Sequence, residues 1–249
     1  MTFTVGYNGR LGNQIIRNLA VSIIAEKNNL KVDYFNKDLI HNLGIELFSG
    51  DNTYDTIQEL NNDNYFTIYN CDNLNYNLNP NNDFFQTIEI TNFLYDYLHT
   101  DIIKSKIIEK NPFKERYNNN NDLFIHIRLT DVSHYNPGIH YYLNAIKNIH
   151  YEHLYISTDE INHDIIKTLI TNYPNIKIID YDEIQTFQFA STCKNIILSH
   201  GSFSAIIGYL SFFSSVYYPE YEHSGDTDIN KGIWYGDMFS IKDWIKCKV

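Results

Sequence analysis

The sequence predicts an α/β fold whose C-terminal half contains a doubly wound parallel sheet. From residue 123 onward, short apolar strand-like runs alternate with helical stretches, a pattern typical of βαβ units. The chain has 249 residues, 43% of them hydrophobic, which is enough for two modest α/β domains. The polar segment Tyr117–Asp122 (YNNNND) has the composition of a linker. We therefore predict domains at 1–117 and 118–235, and a tail at 236–249 that packs back on the fold.

The N-terminal half begins with a β-branched and aromatic run, Thr2–Tyr7, that predicts a strand. The segment Gly12–Asn29 follows with apolar residues at helical spacing, and Lys31–Phe35 predicts a second strand. A long region rich in Asn and Asp then surrounds one predicted strand, Phe66–Asn70. The segment Asn92–Lys110 predicts a helix.

The C-terminal half contains five predicted strands with helical stretches between them. The predicted strands are Leu123–Arg128, Leu154–Ser157, Ile176–Asp180, Ile196–Ser199 and Val216–Tyr218. The predicted helices are Tyr141–Asn148, Glu160–Asn172, Glu183–Cys193 and Phe203–Phe213. In a parallel sheet of this kind ligands bind beyond the carboxyl ends of the strands, so candidate functional residues are sought there.

The composition excludes several classes of function. A net charge of −11 argues against general binding to nucleic acids or anionic membranes. The three cysteines form no CxxC pair, which argues against a disulfide framework and a structural zinc site. No signal peptide is predicted, and no window approaches the ~20 apolar residues of a membrane helix. We expect a soluble cytoplasmic protein, located in the host cytoplasm if the gene is viral.

Four predicted strand ends carry residues suited to binding an anion or a sugar. They are Gly9–Gln14 (GRLGNQ), His126–Asp131 (HIRLTD), Ser157–Glu160 (STDE) and Ser199–Ser204 (SHGSFS). In the last group a glycine precedes small hydroxyl residues at a helix start, where free amides bind phosphate. The alternative is an ordinary N-cap. A serine-hydrolase elbow is not supported because Gly-x-Ser-x-Gly is absent.

The other three strand ends also admit two interpretations each. Arg128 is either a salt-bridge partner or an anion clamp, and only four arginines occur in the chain. Asp159 either accepts hydrogen bonds from a base or ribose, or caps a helix. The glycines that flank Arg10 favour close approach of the backbone to a ligand, although Asn13 and Gln14 could simply cap the helix.

In order and spacing, these four motifs together resemble the α1,2-fucosyltransferase family (glycosyltransferase family 11) and its relatives, the α1,6- and protein O-fucosyltransferases. The resemblance implies a GT-B-like fold of two Rossmann-like domains, with an acceptor-side N-terminal domain and a nucleotide-sugar-binding C-terminal domain. It further implies inverting, metal-independent transfer of L-fucose from GDP-fucose to a hydroxyl of a glycan acceptor, such as the 2-hydroxyl of a galactose-type sugar. No metal or cofactor is then required, and a role in carbohydrate biosynthesis is expected.

The resemblance assigns a role to each matching residue. Arg128 would bind the donor diphosphate, and Asn13 would lie with Arg10 and Gly12 near the fucose and its leaving phosphate. The remaining donor-binding assignments fall on His126 and Asp159 at the guanosine end, and on Gly201, Ser202, Phe203 and Ser204 around the phosphates. No carboxylate is an obvious base. Asp131 is the leading candidate, ahead of His134 and Glu160.

Two departures from the family pattern keep other functions open. Leu129 stands where the family usually has a second arginine, and Gly201–Ile206 (GSFSAI) lacks two aromatic residues of the family motif. A catalytically impaired nucleotide-sugar-binding protein and a transferase for another deoxysugar are therefore alternatives. A metal-dependent transferase would use an Asp-x-Asp motif, and Asp180–Asp182 and Asp226–Asp228 both match that pattern. A dinucleotide enzyme is disfavoured because Gly-x-Gly-x-x-Gly is missing.

Overall fold

The computed structural model describes residues 1–6, 9–131, 133–220 and 237–249. The chain forms two compact units, Met1–Ile107 and Ile108–Val249. Both combine helices with parallel strands, so the predicted α/β class is confirmed. Residues 118–249, predicted as the second domain and the tail, belong to the second unit.

The first unit is built around a long helix that carries apolar residues on most of its circumference. Its helices are α1 (Leu11–Asn28), α2 (Lys37–His41), α3 (Tyr65–Tyr69), α4 (Ile88–Leu98) and α5 (Asp101–Lys110), whose end passes into the second unit. Its strands are β1 (Thr2–Phe3), β2 (Val32–Asp33), β3 (Ile57–Glu59) and β4 (Asn77–Asn79), paired in parallel as β1 with β2 and β3 with β4. Because α1 is buried from Gln14 to Ala25, it forms the core of this unit.

The prediction of a strand at Phe66–Asn70 is wrong, because this segment forms helix α3. The aromatic and β-branched composition favours a strand locally. In the folded unit, however, Tyr65 and Ile68 are three residues apart and both are buried, which requires helical spacing. The Tyr65 hydroxyl also donates to the Ala20 carbonyl of α1 at 3.1 Å. Tertiary packing therefore overrides the local preference here.

The second unit contains a six-stranded parallel sheet flanked by helices. Its strands are β5 (Leu123–Ile127), β6 (Leu154–Thr158), β7 (Lys177–Ile178), β8 (Asn195–Ile197), β9 (Ser215–Glu220) and β10 (Ile245–Lys248). Its helices are α6 (Ile139–Lys147), α7 (Asp164–Asn172), α8 (Glu183–Ala190) and α9 (Gly201–Tyr209). The strand order is β10-β9-β8-β5-β6-β7, and all neighbouring pairs are parallel. The doubly wound sheet predicted for this half is confirmed.

The order of the strands reverses at β5. The chain runs from β5 outward to β6 and β7, and then returns to β8 on the other side of β5 before it continues to β9. Such a reversal opens a crevice beyond the carboxyl ends of the two strands involved, where ligands bind in open α/β sheets. Here the crevice lies between the residues that follow β5 and those that follow β8.

No helix among the described residues is long and apolar enough to cross a membrane.

Candidate active site

Arg128 is the first residue after β5 and lies at the reversal point of the sheet. Its Nη2 donates to Asp131 Oδ1 at 2.8 Å, and its side chain is 14% exposed. Its Nε is buried and has no hydrogen-bond partner among the described residues. A buried guanidinium donor without a partner is costly, so this arginine retains capacity to bind an acceptor oxygen.

Helix α9 begins directly across the crevice from Arg128. Gly201 has φ of +85°, a left-handed conformation that favours glycine, and a Cβ placed there would lie 4.0 Å from Arg128 Cδ. His200 is the N-cap residue, but its side chain makes no capping hydrogen bond, and the first turn contains no acidic residue. Within the part of the chain that the structure describes, the Ser202 hydroxyl makes no hydrogen bond. The helix start therefore presents amide donors and a hydroxyl beside an arginine, which is an arrangement suited to phosphate.

A buried stack of rings supports the first turn of α9. His126 Nδ1 lies 2.6 Å from Ser204 Oγ, and Ser204 is fully buried. The Phe203 ring stacks on His126 with centroids 5.0 Å apart, and on Phe187 with centroids 4.2 Å apart. Burial, with smaller contributions from His200 and Arg128, lowers the pKa of His126 to about 3 although Asp159 opposes the shift. His126 is therefore neutral at pH 7 and fixes α9 against β5.

Asp159 follows β6 and binds the loop that follows β5. Its Oδ1 accepts from the Leu129 amide at 2.6 Å, and its Oδ2 accepts from the Thr130 hydroxyl at 2.6 Å and the Thr130 amide at 3.4 Å. Burial raises the pKa of Asp159, but these hydrogen bonds outweigh it and lower the pKa below 3.8. Asp159 does not cap the next helix, because His163 is the N-cap of α7. The carboxylate instead holds the loop that carries Arg128.

Two polar residues beneath the Arg128 loop, Asn136 and Tyr142, were not predicted from the sequence, and they meet Ser199 of the predicted Ser199–Ser204 motif. Asn136 Nδ2 donates to the Arg128 carbonyl at 3.0 Å and to the Tyr142 hydroxyl at 2.9 Å. The Tyr142 hydroxyl donates to Ser199 Oγ at 3.0 Å, and Ser199 Oγ accepts from the Arg128 amide at 3.4 Å. The Asn-Pro-Gly turn at Asn136–Gly138 was the one available sequence signal, since Asn side chains order turns.

The three candidate bases differ in their contacts. Asp131 is paired with Arg128, and its side chain is 45% exposed. His134 packs its ring on Tyr135 at 3.8 Å, and Glu160 Oε1 accepts from the Asn162 amide at 2.9 Å. Among these three, Asp131 is the one with a hydrogen bond to Arg128.

The glycine turn at the start of α1 lies in the first unit, whereas the residues above lie in the second. Gly9 has φ of +91°, and a Cβ there would lie 2.3 Å from Asn13 Nδ2, so the turn requires glycine. Arg10 is the N-cap of α1 and makes no capping bond through its side chain. Asn13 Oδ1 accepts from Gln86 Nε2 at 2.9 Å, and Gly12 is buried in the first turn. The roles predicted for Arg10, Gly12 and Asn13 stay predictions.

The described residues contain one group of three side chains that could together ligate a metal. Asp122, Glu152 and His153 lie at the amino ends of β5 and β6, with ligand atoms within 4.8 Å of one another. Both oxygens of Asp122 already have partners, Arg116 Nη2 at 2.7 Å and His153 Nδ1 at 2.9 Å. The partners of Asp122 therefore account for its position without a metal.

One of the two Asp-x-Asp motifs lies in the described part of the chain, and helix capping accounts for it. Asp182 caps α8 by accepting from the Gln185 amide at 2.7 Å, which explains the motif at Asp180–Asp182. The motif at Asp226–Asp228 lies outside the described residues.

Comparison with solved structures gives a structural likeness, whereas the other two comparisons find nothing. No protein-family model matches the chain, and no curated protein matches it. Among solved structures, the chain is similar to a mutant of Arabidopsis thaliana FUT1 in complex with GDP, with 11% sequence identity and a TM-score of 0.47. The match covers 87% of this chain and 69% of that one.

Proposed function

We propose that this chain is an inverting, metal-independent glycosyltransferase that moves L-fucose from GDP-fucose to a glycan hydroxyl. The proposed acceptor group is the 2-hydroxyl of a galactose-type sugar. The resemblance of its four strand-end motifs to the α1,2-fucosyltransferase family supports the donor and the acceptor. The geometry of the second unit supports the part of the proposal that concerns a nucleoside diphosphate.

The observation that carries the proposal is the juxtaposition of Arg128 with the start of α9. A guanidinium with an unpartnered buried Nε and an uncapped helix N-terminus meet at the reversal point of a parallel sheet. Both groups attract anions, and the position is the one where open α/β sheets bind nucleotides. The chain as a whole is acidic, so this local concentration of donors is the feature that would select a phosphate-bearing ligand.

In the proposed reaction the bond between the sugar and the diphosphate breaks while the acceptor hydroxyl attacks from the opposite face. The transition state has oxocarbenium character, and negative charge grows on the departing diphosphate. Arg128, the Ser202 hydroxyl and the first amides of α9 would stabilise that charge as a preorganised set of donors. His126, Ser204 and Phe203 would act indirectly, by holding α9 in place.

Asp131 is proposed to accept the proton of the acceptor hydroxyl. A carboxylate that faces the acceptor raises the nucleophilicity of the attacking oxygen. In the present structure Asp131 pairs with Arg128, so the diphosphate would replace Asp131 as the partner of Arg128 when the donor binds. That exchange would release the carboxylate for the acceptor.

A second candidate function is nucleotide-sugar binding without transfer, or transfer of another deoxysugar. Leu129, which stands at the position of the second family arginine, is buried, with 4% of its surface exposed. A leucine carries no charge, so the departing diphosphate would be stabilised less than in enzymes of the family that have the second arginine. The two aromatic residues that are missing from the α9 motif would affect which sugar is bound. They would not affect binding of the diphosphate.

A panel of nucleotide sugars tests the proposal. We expect GDP and GDP-fucose to raise the melting temperature more than UDP- or dTDP-sugars do, because a ligand that binds only the folded state stabilises it. We also expect slow release of GDP from GDP-fucose that persists in EDTA. Stabilisation by GDP without hydrolysis or transfer would favour the binding-protein alternative. Activity that is lost in EDTA would contradict metal independence.

A further inference from the structure

The first unit contains a cavity that is separate from the residues discussed above. Its volume is about 460 Å³, within the ~300–1,000 Å³ range of small-molecule sites. Residues from α1 and from the end of α4 form its walls together with Tyr69 of α3. The lining positions on α1 and on α4 are spaced i, i+3 and i+4, so one face of each helix faces the cavity, and Thr100 follows the end of α4. The lining residues are Ile23, Glu26, Lys27, Tyr69, Phe93, Asp96, Tyr97 and Thr100.

The cavity combines aromatic rings with hydrogen-bonding groups of both kinds. Phe93 and Tyr69 pack edge to face with centroids 5.0 Å apart, and Tyr97 adds a third ring. The side chains of Glu26 and Asp96 make no hydrogen bond or ion pair within the described ranges, so both carboxylates remain available as acceptors. Thr100 can donate and accept.

The charges in the cavity narrow the chemical class of the ligand. Two carboxylates disfavour a phosphate or another anion. A cation on the Tyr69 ring would meet Lys27, whose Nζ already lies 5.3 Å from the centroid of that ring and donates to the Tyr69 carbonyl at 2.9 Å. A neutral ligand with several hydroxyls avoids both conflicts, because its apolar face can pack on the rings while its hydroxyls bond to the carboxylates.

From these observations we propose that this cavity binds a neutral sugar, namely a mono- or disaccharide unit. This inference does not rest on the proposed transfer reaction. Glu26 lies in the last turns of α1, whereas Asn13 lies in its first turn, and thirteen residues of helix separate them by about 20 Å. The cavity is therefore distinct from the glycine turn to which the family resemblance assigns sugar contacts.

Saturation-transfer NMR on the full chain tests the inference with glucose, N-acetylglucosamine and cellobiose as probes, because galactose-type sugars are the proposed acceptors of the transfer reaction. We expect at least one of them to bind. Thr100→Trp, a substitution at an exposed position that fills the cavity, should weaken binding by about tenfold or more, and so should Glu26→Ala combined with Asp96→Ala. Glu89→Ala, which removes an exposed acid from the first turn of the same helix α4, is the matched control and should leave binding unchanged.

The outcomes separate this inference from the proposed transferase. Arg128→Ala should abolish transfer but leave sugar binding unchanged, whereas the cavity variants should leave stabilisation by GDP unchanged. The inference is overturned if none of the three sugars binds, if binding survives both cavity variants, or if choline binds in place of the sugars. Because Glu26 and Asp96 are exposed, the double variant should fold, and it remains decisive if Thr100→Trp does not.

Discussion

The second unit contains one arginine–aspartate pair at the amino ends of its strands, called here the amino edge, and another at their carboxyl ends, called the carboxyl edge. The two pairs have very different surroundings. At the amino edge, Arg116 Nη2 donates to Asp122 at 2.7 Å and Arg116 Nε donates to the Thr192 hydroxyl at 3.0 Å. The guanidinium also lies 4.5 Å from the centroid of the Phe189 ring. At the carboxyl edge, Arg128 donates to Asp131 at 2.8 Å, but its buried Nε has no partner in the described part of the chain.

The two aspartates also differ, both in exposure and in the number of partners. The Asp122 side chain is 4% exposed and binds both Arg116 and His153, whereas the Asp131 side chain is 45% exposed. Because both oxygens of the buried Asp122 carboxylate have partners, this pair contributes to stability through its neighbours. A pair with an open donor and an exposed carboxylate can exchange partners at little cost. The contrast therefore supports the proposal that a ligand binds at the carboxyl ends of the strands.

The largest expected effect is the loss of transfer in Arg128→Ala. Removal of a preorganised donor to a developing negative charge costs about 10²–10³ in kcat, so transfer of fucose from GDP-fucose should fall by at least ~100-fold. The unfolding free energy should change little, because Nε has no partner to lose among the described residues and the ion pair with the half-exposed Asp131 contributes little. Radiolabelled donor assays and urea unfolding measure the two quantities. Transfer within a few-fold of wild type would contradict the proposed role.

Arg116→Ala is the matched control and should show the reverse pattern. It leaves the buried Asp122 carboxylate without its arginine, which should lower the unfolding free energy by about 3 kcal/mol. The variant that still folds at low temperature should retain transfer. If Arg116→Ala lost transfer without losing stability, the distinction between the two edges would be wrong.

Asp131→Asn is expected to have the next largest effect. If the carboxylate accepts the acceptor proton, kcat should fall by about 100-fold. The affinity for GDP should rise or stay unchanged, because Arg128 loses a competing partner within the chain. Stopped-time transfer assays and calorimetric titration with GDP check both. A weaker affinity for GDP with unchanged kcat would place Asp131 in donor binding instead of proton transfer.

The strand ends of the second unit could be predicted from the sequence because the apolar runs of its strands are short and separated by helical spacing. Arg128 and Ser202 were identified in this way, since each follows such a run. The contacts among them could not be predicted. His126 meets Ser204, 78 residues away, and Asp159 binds the Arg128 loop. Both contacts depend on the order of the strands in the sheet, and the hydrophobic pattern of the sequence does not reveal that order.

The first unit was less predictable for a different physical reason. Its strands are only two or three residues long, which is too short for an alternation of apolar and polar residues to be recognised. Helix α3 was mistaken for a strand because its aromatic residues have high strand propensity. Helices α4 and α5 were predicted as one segment, since the break at His99 and Thr100 has no proline or glycine. Helix α1 was predicted within one residue because its apolar pattern continues for five turns.

Asn136→Ala should have an intermediate effect, and it tests how the loop that carries Arg128 is positioned. The side chain bonds to the Arg128 carbonyl and the Tyr142 hydroxyl, so its loss removes support from the Arg128 loop without touching the guanidinium. We expect kcat to fall by about tenfold, because a misplaced donor stabilises the transition state less well. The stability should fall by about 1 kcal/mol. Asn148→Ala, at the exposed end of α6, is the control and should leave kcat unchanged.

The smallest expected effect is a dependence of stability on pH that arises at His126. Burial lowers the pKa of His126 in the folded protein to about 3, against 6.5 when it is exposed. The unfolded state therefore takes up the proton first as the pH falls, and the stability contributed by neutral His126 is complete above pH 6.5 and lost progressively below it. Between pH 7.5 and 5.5 this residue should remove about 1.4 kcal/mol of unfolding free energy. Asp159, whose pKa lies below its ordinary value of 3.8, loses its contribution only at lower pH, outside this window.

Urea unfolding of the wild type and His126→Asn at both pH values isolates the effect. The variant should lose less unfolding free energy between the two pH values, because it lacks the contribution of His126. Equal losses in the two proteins would mean that His126 is not held neutral against Ser204, and the ring stack that fixes α9 beside Arg128 would then need another explanation.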